Sequence, residues 1–402
     1  MSQGLRQAAV VAGVGIVSAM ALLALAWGIS GALDDNHASR DFKWDGARLL
    51  LLRENALEYT IEGRAAPTDA IMPDKLEVQE VPSALVPLIP YALAPWPVAR
   101  VLWLVTSLVS TVLVLLFTLR LFAPGRSGLF HALIAALFVA GTPWRAGVML
   151  GQHTLFSLAF FAMGHWCAER GRSNLAGGLL AVSLLKYSAT LPLLLVFIYR
   201  KQYSPLLIAL GAHLVMNLAA AAWLGTMPHV LLMQSLRSSS IISADGYLDP
   251  KSLFARVGLG DCMKVAGLLQ VLAVLAAFAV SVCRRNGREL MVLSALSMLS
   301  MLMVYHRAYD YVILIFPLII ICTRRPGPLN LLLAVTVGMV FYTNSAVRVF
   351  GKLIPVLADI RFANVYYLVV SVMFYATTAA VCADLLRRKD VLPDDLLKGA
   401  VG

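Results

Sequence analysis

The chain has 402 residues, of which 60% are hydrophobic and only 14% are charged, against about 25% charged residues in ordinary soluble domains. Its mean hydropathy is +0.79. This composition excludes a soluble enzyme, a disordered chain and a fibrous repeat. It predicts an all-α, polytopic membrane protein, because apolar stretches long enough to cross a bilayer recur along the chain.

The net charge of +11 comes from 33 basic and 22 acidic residues. The basic residues form short groups between apolar runs instead of one polar face, which argues against a nucleic-acid partner and is typical of cytoplasmic loops. These groups are Arg170-Gly-Arg172, Arg200-Lys201, Arg284-Arg285 with Arg288, Arg324-Arg325 and Arg387-Arg388-Lys389. Half of the acidic residues instead lie between Asp34 and Glu80, which predicts a long outer loop rich in carboxylates.

The first apolar run, residues 8–29, predicts an uncleaved span with the N-terminus inside. The first outer loop is then 30–81, and within it residues 41–53 predict a short interfacial helix with Trp44 at the level of the lipid headgroups. Asp41 begins this helix. An aspartate in that position is either the N-cap of the helix or a catalytic carboxylate, and the residues alone leave both open.

Beyond this loop the sequence predicts membrane segments that bring the total to about twelve. Several have only 12 to 16 residues, and short helices that end at mid-depth normally line a protein cavity. The segment 82–94 carries several prolines and is either spanning or re-entrant. A second outer loop covers 225–262. The predicted segments are 82–94, 97–119, 128–147, 152–168, 174–187, 188–199, 205–224, 264–283, 289–304, 308–322, 328–343 and 362–384.

Three charged residues, Lys186, Arg307 and Asp310, interrupt apolar stretches, at a cost of roughly 2.5–3.5 kcal/mol each on insertion scales. The alternating basic groups place Lys186 and Arg307 near the outer ends of their segments. They either snorkel to the interface or form a cationic pocket for a phosphate. Asp310 lies three residues after Arg307, a helical spacing that predicts an ion pair between them.

Two further features are weaker. Gly151-Gln152 opens a predicted span at its outer end, where the Gln152 amide is either an interface group or a hydrogen-bond partner for a sugar hydroxyl. Asp41 and Asp45 lie one helical turn apart, and two carboxylates are too few to indicate a divalent ion. We therefore expect no metal and no cofactor.

Taken together and in order, these features resemble glycosyltransferase family 87 over about residues 35–325. The features are Asp41-Phe42 with Ala47, Leu49-Leu50 and Tyr59; the proline-punctuated segment from Pro82 to Pro95; Gly151-Gln152; the stretch from Arg170-Gly-Arg172 to Lys186; the stretch from Pro192 to Lys201; and the hairpin from His306 to Tyr311.

The resemblance implies one GT-C-type helix bundle over 1–402, with the long first loop carrying the catalytic aspartate, Asp41. It implies inverting transfer of a sugar, typically mannose, from a polyprenyl-phosphate donor to a lipid or glycan acceptor. Membrane lipids would surround the protein as further partners. The site would face the periplasm from the bacterial inner membrane. Donor phosphate contacts would be Lys186, His306 and Arg307, and sugar or acceptor contacts would be Asp45, Gln152, His153, Tyr187, Asp310 and Tyr311.

The alternative from another class is a lipid or solute transporter, such as a flippase, which performs no chemistry. Broken helices and charges at mid-depth suit transporters as well. Transporters often contain inverted repeats, and no internal repeat is evident in this sequence. A carboxylate-rich outer loop has no evident role in transport.

Overall fold

The structure is a computed structural model that describes residues 3–34, 42–65, 77–241, 248–256, 258–259, 263–282, 289–304, 306–353 and 360–387. Over these ranges the chain is helical and forms no β-strand. The predicted all-α fold is confirmed.

The helices are numbered in chain order. The first group is α1 Gln3–Leu33, α2 Trp44–Leu51, α3 Ala56–Glu62, α4 Pro82–Leu85, α5 Ile89–Ala92 and α6 Trp96–Phe122. The second is α7 Gly128–Ala140, α8 Thr142–Leu150, α9 Thr154–Glu169, α10 Ser173–Ser183, α11 Tyr187–Leu194, α12 Val196–Tyr199 and α13 Tyr203–Leu224. The third is α14 Pro228–Ile241, α15 Pro250–Arg256, α16 Met263–Val282, α17 Glu289–Met303, α18 Ile315–Thr323, α19 Pro328–Leu353 and α20 Ile360–Arg387. Short 3-10 turns occupy Val86–Leu88, Leu184–Lys186 and Ala308–Leu314.

Among the described residues, six helical stretches are long and apolar enough to cross a membrane, or seven if the bent pair of α7 and α8 counts as one span. α7 and α8 meet at 60°. The protein is therefore a multi-pass membrane protein, whereas the expected count of about twelve segments is not confirmed. The region of 82–94 consists of α4, a 3-10 turn and α5, each too short to cross a bilayer.

One of the six stretches, Ser173–Tyr199, passes the test of length and hydropathy as a single span of 27 residues. The contacts indicate otherwise, because Arg200 just beyond it pairs with Glu169 just before it. Both ends of the stretch therefore lie at the same end of the bundle, and the chain reverses near Lys186, as the alternating basic groups predicted.

Two apolar cores divide the molecule. The larger core fills the bundle, where α9 packs against α6 and α10, and α17 packs against α11, α16 and α18. The smaller core is formed by the helices α2 through α5 and the start of α6. These pack against three residues of other segments, Phe156, Leu185 and Ala220. The first-loop helices thus form a cap over one end of the bundle, the end at which α9 begins and α10 finishes.

Several hydroxyl side chains of the long apolar helix α6 are satisfied within the helix. In α6 the hydroxyls of Ser107, Thr111 and Thr118 donate to carbonyls four residues earlier, at 2.9, 2.9 and 2.5 Å. Such bonds remove the cost of placing a hydroxyl in hydrocarbon, since water is not available there. A 27-residue helix with a mean hydropathy of 2.3 can therefore carry these residues and still span.

Candidate active site

A tight turn between α8 and α9 places three polar side chains inside the bundle. The turn residue Gly151 has a φ of 68°, in the left-handed region that favours glycine. Its carbonyl accepts a hydrogen bond of 2.8 Å from Nε1 of Trp103. The next residues, Gln152, His153 and Thr154, are all buried. The turn thus brings the two predicted residues Gln152 and His153 into the interior, together with Thr154.

Asp310 is a buried carboxylate that joins three separate segments. Its Oδ1 accepts a hydrogen bond from the Thr154 hydroxyl and lies 3.8 Å from Nζ of Lys186. Its Oδ2 lies 3.1 Å from Nδ1 of His306. A buried charge is stable only when it is paired and hydrogen-bonded in this way. The start of α9, the turn at Lys186 and the hairpin that begins at His306 therefore meet at one point, which we call the Asp310 cluster.

Arg307 contacts Asp310 through its backbone. The Asp310 carboxylate is held by the three partners just described, and the Arg307 carbonyl accepts a hydrogen bond from the Asp310 amide at 2.9 Å. The Arg307 side chain is half-buried at the start of the 3-10 turn Ala308–Leu314. The charge of Asp310 is thus balanced by Lys186, from a distant part of the sequence.

Lys186 lies where α10 reverses into α11. Its amide donates to Oγ of Ser157 at 3.0 Å, which anchors the reversal on α9. The side chain is only 12% exposed, and Nζ lies 5.9 Å from the ring centroid of Tyr309, beside Asp310. A snorkelling lysine carries its amine out to the interface, whereas this amine is directed into the Asp310 cluster.

The first loop approaches the same region through Phe42. The Phe42 carbonyl lies 2.6 Å from Nε2 of His153, and its ring stacks on Trp103 with centroids 4.4 Å apart. A carbonyl can only accept, so Nε2 of His153 carries the proton and Nδ1 of the neutral ring is an acceptor. Asp41, which precedes Phe42 in the sequence, lies outside the described residues.

α2 is shorter than the sequence predicted. It begins at Trp44, and its N-cap position is Lys43 with a φ of 61°. Asp41 is therefore not the N-cap residue of this helix. Trp44 is buried, and its Nε1 is 3.2 Å from two carbonyls at the end of α5, because the prolines of this region fold back over α2. Asp45 is also buried within α2.

Three polar atoms near the cluster are buried and make no hydrogen bond within the described parts of the chain. They are Oε1 of Gln152, Nδ1 of His153 and Nε2 of His306. Buried polar groups in native proteins normally have partners. Oε1 of Gln152 and Nδ1 of His153 can accept from a hydroxyl group, and Nε2 of His306 can accept or, in a protonated ring, donate.

Glu80 is a further buried carboxylate, and it was not among the residues that the sequence pattern indicated. It is 3% exposed, and the neighbouring Glu77 carbonyl accepts from Nζ of Lys43 at 2.5 Å. Burial alone raises the pKa of Glu80, but the positive charges of Lys43 and Lys186 lower it below its usual range. Glu80 is therefore ionised at neutral pH. The available signal was its position, the last acid of the loop, directly before the proline-rich segment.

The two predicted tyrosines lie in different surroundings. Tyr187 starts α11 directly after Lys186 and is half-buried. It lies near Glu80 and near Ser235 of α14. Tyr311 is buried in the larger core, one residue after Asp310.

Within the described residues, one group of potential metal ligands has suitable spacing, and it lies at the other end of α9. The donor atoms of His165, Glu169 and Glu289 all lie within 4.8 Å of one another. Arg200 occupies this group, since its Nη1 is 2.9 Å from both oxygens of Glu289 and pairs with Glu169. The guanidinium occupies the position that a metal ion would need and pairs with both carboxylates. The group therefore fits an ion-pair network better than a metal site.

Comparison with known families supports the resemblance seen in the sequence. The family model described as glycosyltransferase family 87 matches residues 81–305, more than half of the chain. The matched stretch contains the turn at Gln152 and the reversal at Lys186, and it ends one residue before His306. No curated protein and no solved structure matches the chain. With its apolar helices and this match, the chain belongs to glycosyltransferase family 87 and is a membrane glycosyltransferase.

Proposed function

We propose that the protein transfers a mannose-like sugar from a polyprenyl-phosphate donor to a hydroxyl of a lipid or glycan acceptor, with inversion. The observation that carries this proposal is the Asp310 cluster, in which Lys186 and His306 are held by a buried carboxylate beneath the first loop. A donor of this kind needs cations for its phosphate and one carboxylate for the acceptor. It needs no nucleotide-binding motif.

The donor phosphate is assigned to Lys186, Arg307 and His306. Nδ1 of His306 donates to Asp310 at 3.1 Å, which orients the ring, and in the imidazolium form Nε2 donates to the phosphate. Cations positioned where negative charge grows on the departing phosphate stabilise the transition state. The fork of Arg307 suits two phosphate oxygens, whereas Lys186 acts as a point charge.

The sugar and the acceptor are assigned to the groups between this cluster and the first loop. Nδ1 of His153 accepts from a hydroxyl, and Oε1 of Gln152 does the same. Asp45, Tyr187, Asp310 and Tyr311 are proposed as further contacts. Asp41 is proposed as the general base. Base catalysis needs a carboxylate within hydrogen-bond reach of the attacking hydroxyl. Phe42, the next residue in the sequence, is bound through its carbonyl to His153.

The proposed location is the bacterial inner membrane, with the site at the periplasmic face. The support is the distribution of charge, since Arg170, Arg200 and Arg324 lie at the end of the bundle opposite Lys186 and basic residues favour the cytoplasmic side. A cysteine placed at Asp245 should react with an impermeant thiol reagent added outside. A cysteine at Arg172 should react only after the membrane is opened, and the reverse pattern would contradict this orientation.

The test of function is a transfer assay with the purified full-length protein. Radiolabelled polyprenyl-phosphate mannose and a bacterial lipid extract are incubated with the protein, and the same sugar is offered in parallel on a nucleotide. We expect labelled product from the polyprenyl-phosphate donor alone. Product from the nucleotide sugar alone would refute the proposed donor, and movement of intact donor across vesicles without product would favour the transporter.

A further inference from the structure

An open cavity of about 890 Å³ lies at the end of the bundle opposite the Asp310 cluster. It is bounded by the ends of α6, α9 and α18 and by the start of α17. Its wall contains the guanidinium groups of Arg120, Arg170, Arg324 and Arg325 and the carboxylates of Glu169 and Glu289. The remaining lining residues are Leu121, Phe122, Leu290, Met291, Ile320 and Thr323.

The two carboxylates of the wall are paired from behind. Arg200, which is not part of the lining, pairs with both Glu169 and Glu289. Nε2 of His165, which is 1% exposed, lies 2.6 Å from Oε1 of Glu289. The four arginines of the wall outnumber its two carboxylates, and Arg200 offsets part of the carboxylate charge, so the cavity keeps a net positive charge.

The arginines of the wall are not neutralised in the same way. Arg324 lies 3.7 Å from Asp384. Among the described residues, no carboxylate pairs with Arg120, Arg170 or Arg325. Cζ of Arg170 lies 3.5 Å from the ring centroid of Trp166, a contact that restrains the guanidinium without reducing its charge.

We infer that this cavity binds the phosphate group of an anionic lipid, at a site distinct from the proposed donor site. Several guanidinium forks around one space are suited to a phosphate. The apolar half of the lining suits the attached glycerol and acyl chains, and the volume is within the range of about 300–1,000 Å³ for small-ligand sites. A soluble phosphate offers the same charge but would leave the apolar half without a partner.

The positive-inside rule alone would also place arginines at this end. That explanation treats all the basic residues of this end as equivalent, whereas a binding site depends on those that line the cavity. Arg172 and Lys201 lie at the same end, are exposed and do not line the cavity. They provide a control pair of equal charge.

The test measures lipid binding to the full-length protein in detergent by native mass spectrometry. Phosphatidylglycerol is titrated against phosphatidylcholine for the wild type, for Arg120→Gln with Arg325→Gln, and for Arg172→Gln with Lys201→Gln. We expect the wild type to prefer phosphatidylglycerol at least about tenfold. The cavity pair should lose most of this preference, and the control pair should keep it. Both pairs should unfold in detergent at the same temperature as the wild type, which shows that they are folded.

Two outcomes would overturn the inference. Equal loss in the cavity pair and the control pair would show that surface charge alone attracts the lipid. Binding of inorganic pyrophosphate that depends on Arg120 and Arg325, without any preference for phosphatidylglycerol, would replace the lipid by a soluble phosphate. Because neither readout uses the polyprenyl-phosphate donor, failure of this inference is separate from failure of the proposed reaction.

Discussion

The two ends of α9 carry clusters made of the same kinds of groups but in opposite proportions. The helix has 16 residues, about 24 Å at about 1.5 Å per residue. At its start, a single carboxylate, Asp310, holds Lys186 and His306. At its end, two carboxylates, Glu169 and Glu289, share Arg200 and lie against His165. Both ends also contain buried polar atoms that have no partner within the described residues.

This difference separates a candidate site for an anionic substrate from an ion-pair network. At the end of α9 both carboxylates are paired, and the network links α9 to α17 behind the wall of the proposed lipid cavity. At the start of α9 two basic side chains share one carboxylate, so their positions are fixed during folding and a substrate phosphate can add a second negative charge. Substitutions at the start of α9 should therefore affect chemistry, and substitutions at its end should affect stability.

The largest effect is expected at Asp41. Asp41→Asn should lower the transfer rate about a thousandfold, because loss of a general base typically costs 10²- to 10⁴-fold, while folding and donor binding stay near normal. Turnover of Asp45→Asn, the matched control four residues on, should fall far less. Similar rates for Asp41→Asn and the wild type would show that Asp41 is not the base.

The next effect is expected for the phosphate cations. Lys186→Ala and Arg307→Ala should each lower the rate about a hundredfold, comparable with the loss of one transition-state donor. Arg307→Lys should recover only part of the rate, since a point charge does not replace the planar fork. Rates and donor affinities are measured for all three. Near-normal values throughout would leave the Asp310 cluster without a role in phosphate binding.

At the other end of α9, a change should affect stability without affecting chemistry. Arg200→Met leaves two carboxylates with only His165 as a partner and should lower the free energy of unfolding by about 2 kcal/mol. Lys201→Met, the exposed neighbour, should change it by less than about 0.5 kcal/mol. Unfolding in detergent and turnover per folded molecule are measured together. A large loss of turnover at unchanged stability would remove the contrast between the two ends.

The smallest effect concerns Glu80 and depends on pH. The lowered pKa of its folded state means that Glu80 contributes stability above its unfolded pKa of about 4.3, which is lost as the pH falls through the folded-state pKa. Glu80→Gln should therefore cost about 1 kcal/mol at pH 7, and the difference from wild type should shrink below about pH 4. Unfolding is followed against pH, with Glu62→Gln, a change at an exposed carboxylate, measured in parallel as a control. If the difference in unfolding free energy between the wild type and Glu80→Gln did not change with pH, Glu80 would not be stabilised as a carboxylate in the folded protein.

The sequence by itself determined the class of the protein, because hydropathy over long runs depends on composition alone. It also determined the reversal near Lys186, since basic groups on both sides of a short apolar stretch place both of its ends together. It marked Lys186, Arg307 and Asp310 as unusual, because charges in apolar runs are costly wherever the chain folds.

Only the tertiary structure decided which of these charges meet. The helical spacing favoured a local pair between Asp310 and Arg307, but Asp310 is paired with Lys186, more than a hundred residues away, and with Thr154. No local pattern encodes such a contact, because it depends on how α9 and the reversal at Lys186 pack. Glu80 was missed for the same reason: an acid in a polar loop looks exposed until the surrounding helices bury it and bring Lys43 and Lys186 to its side.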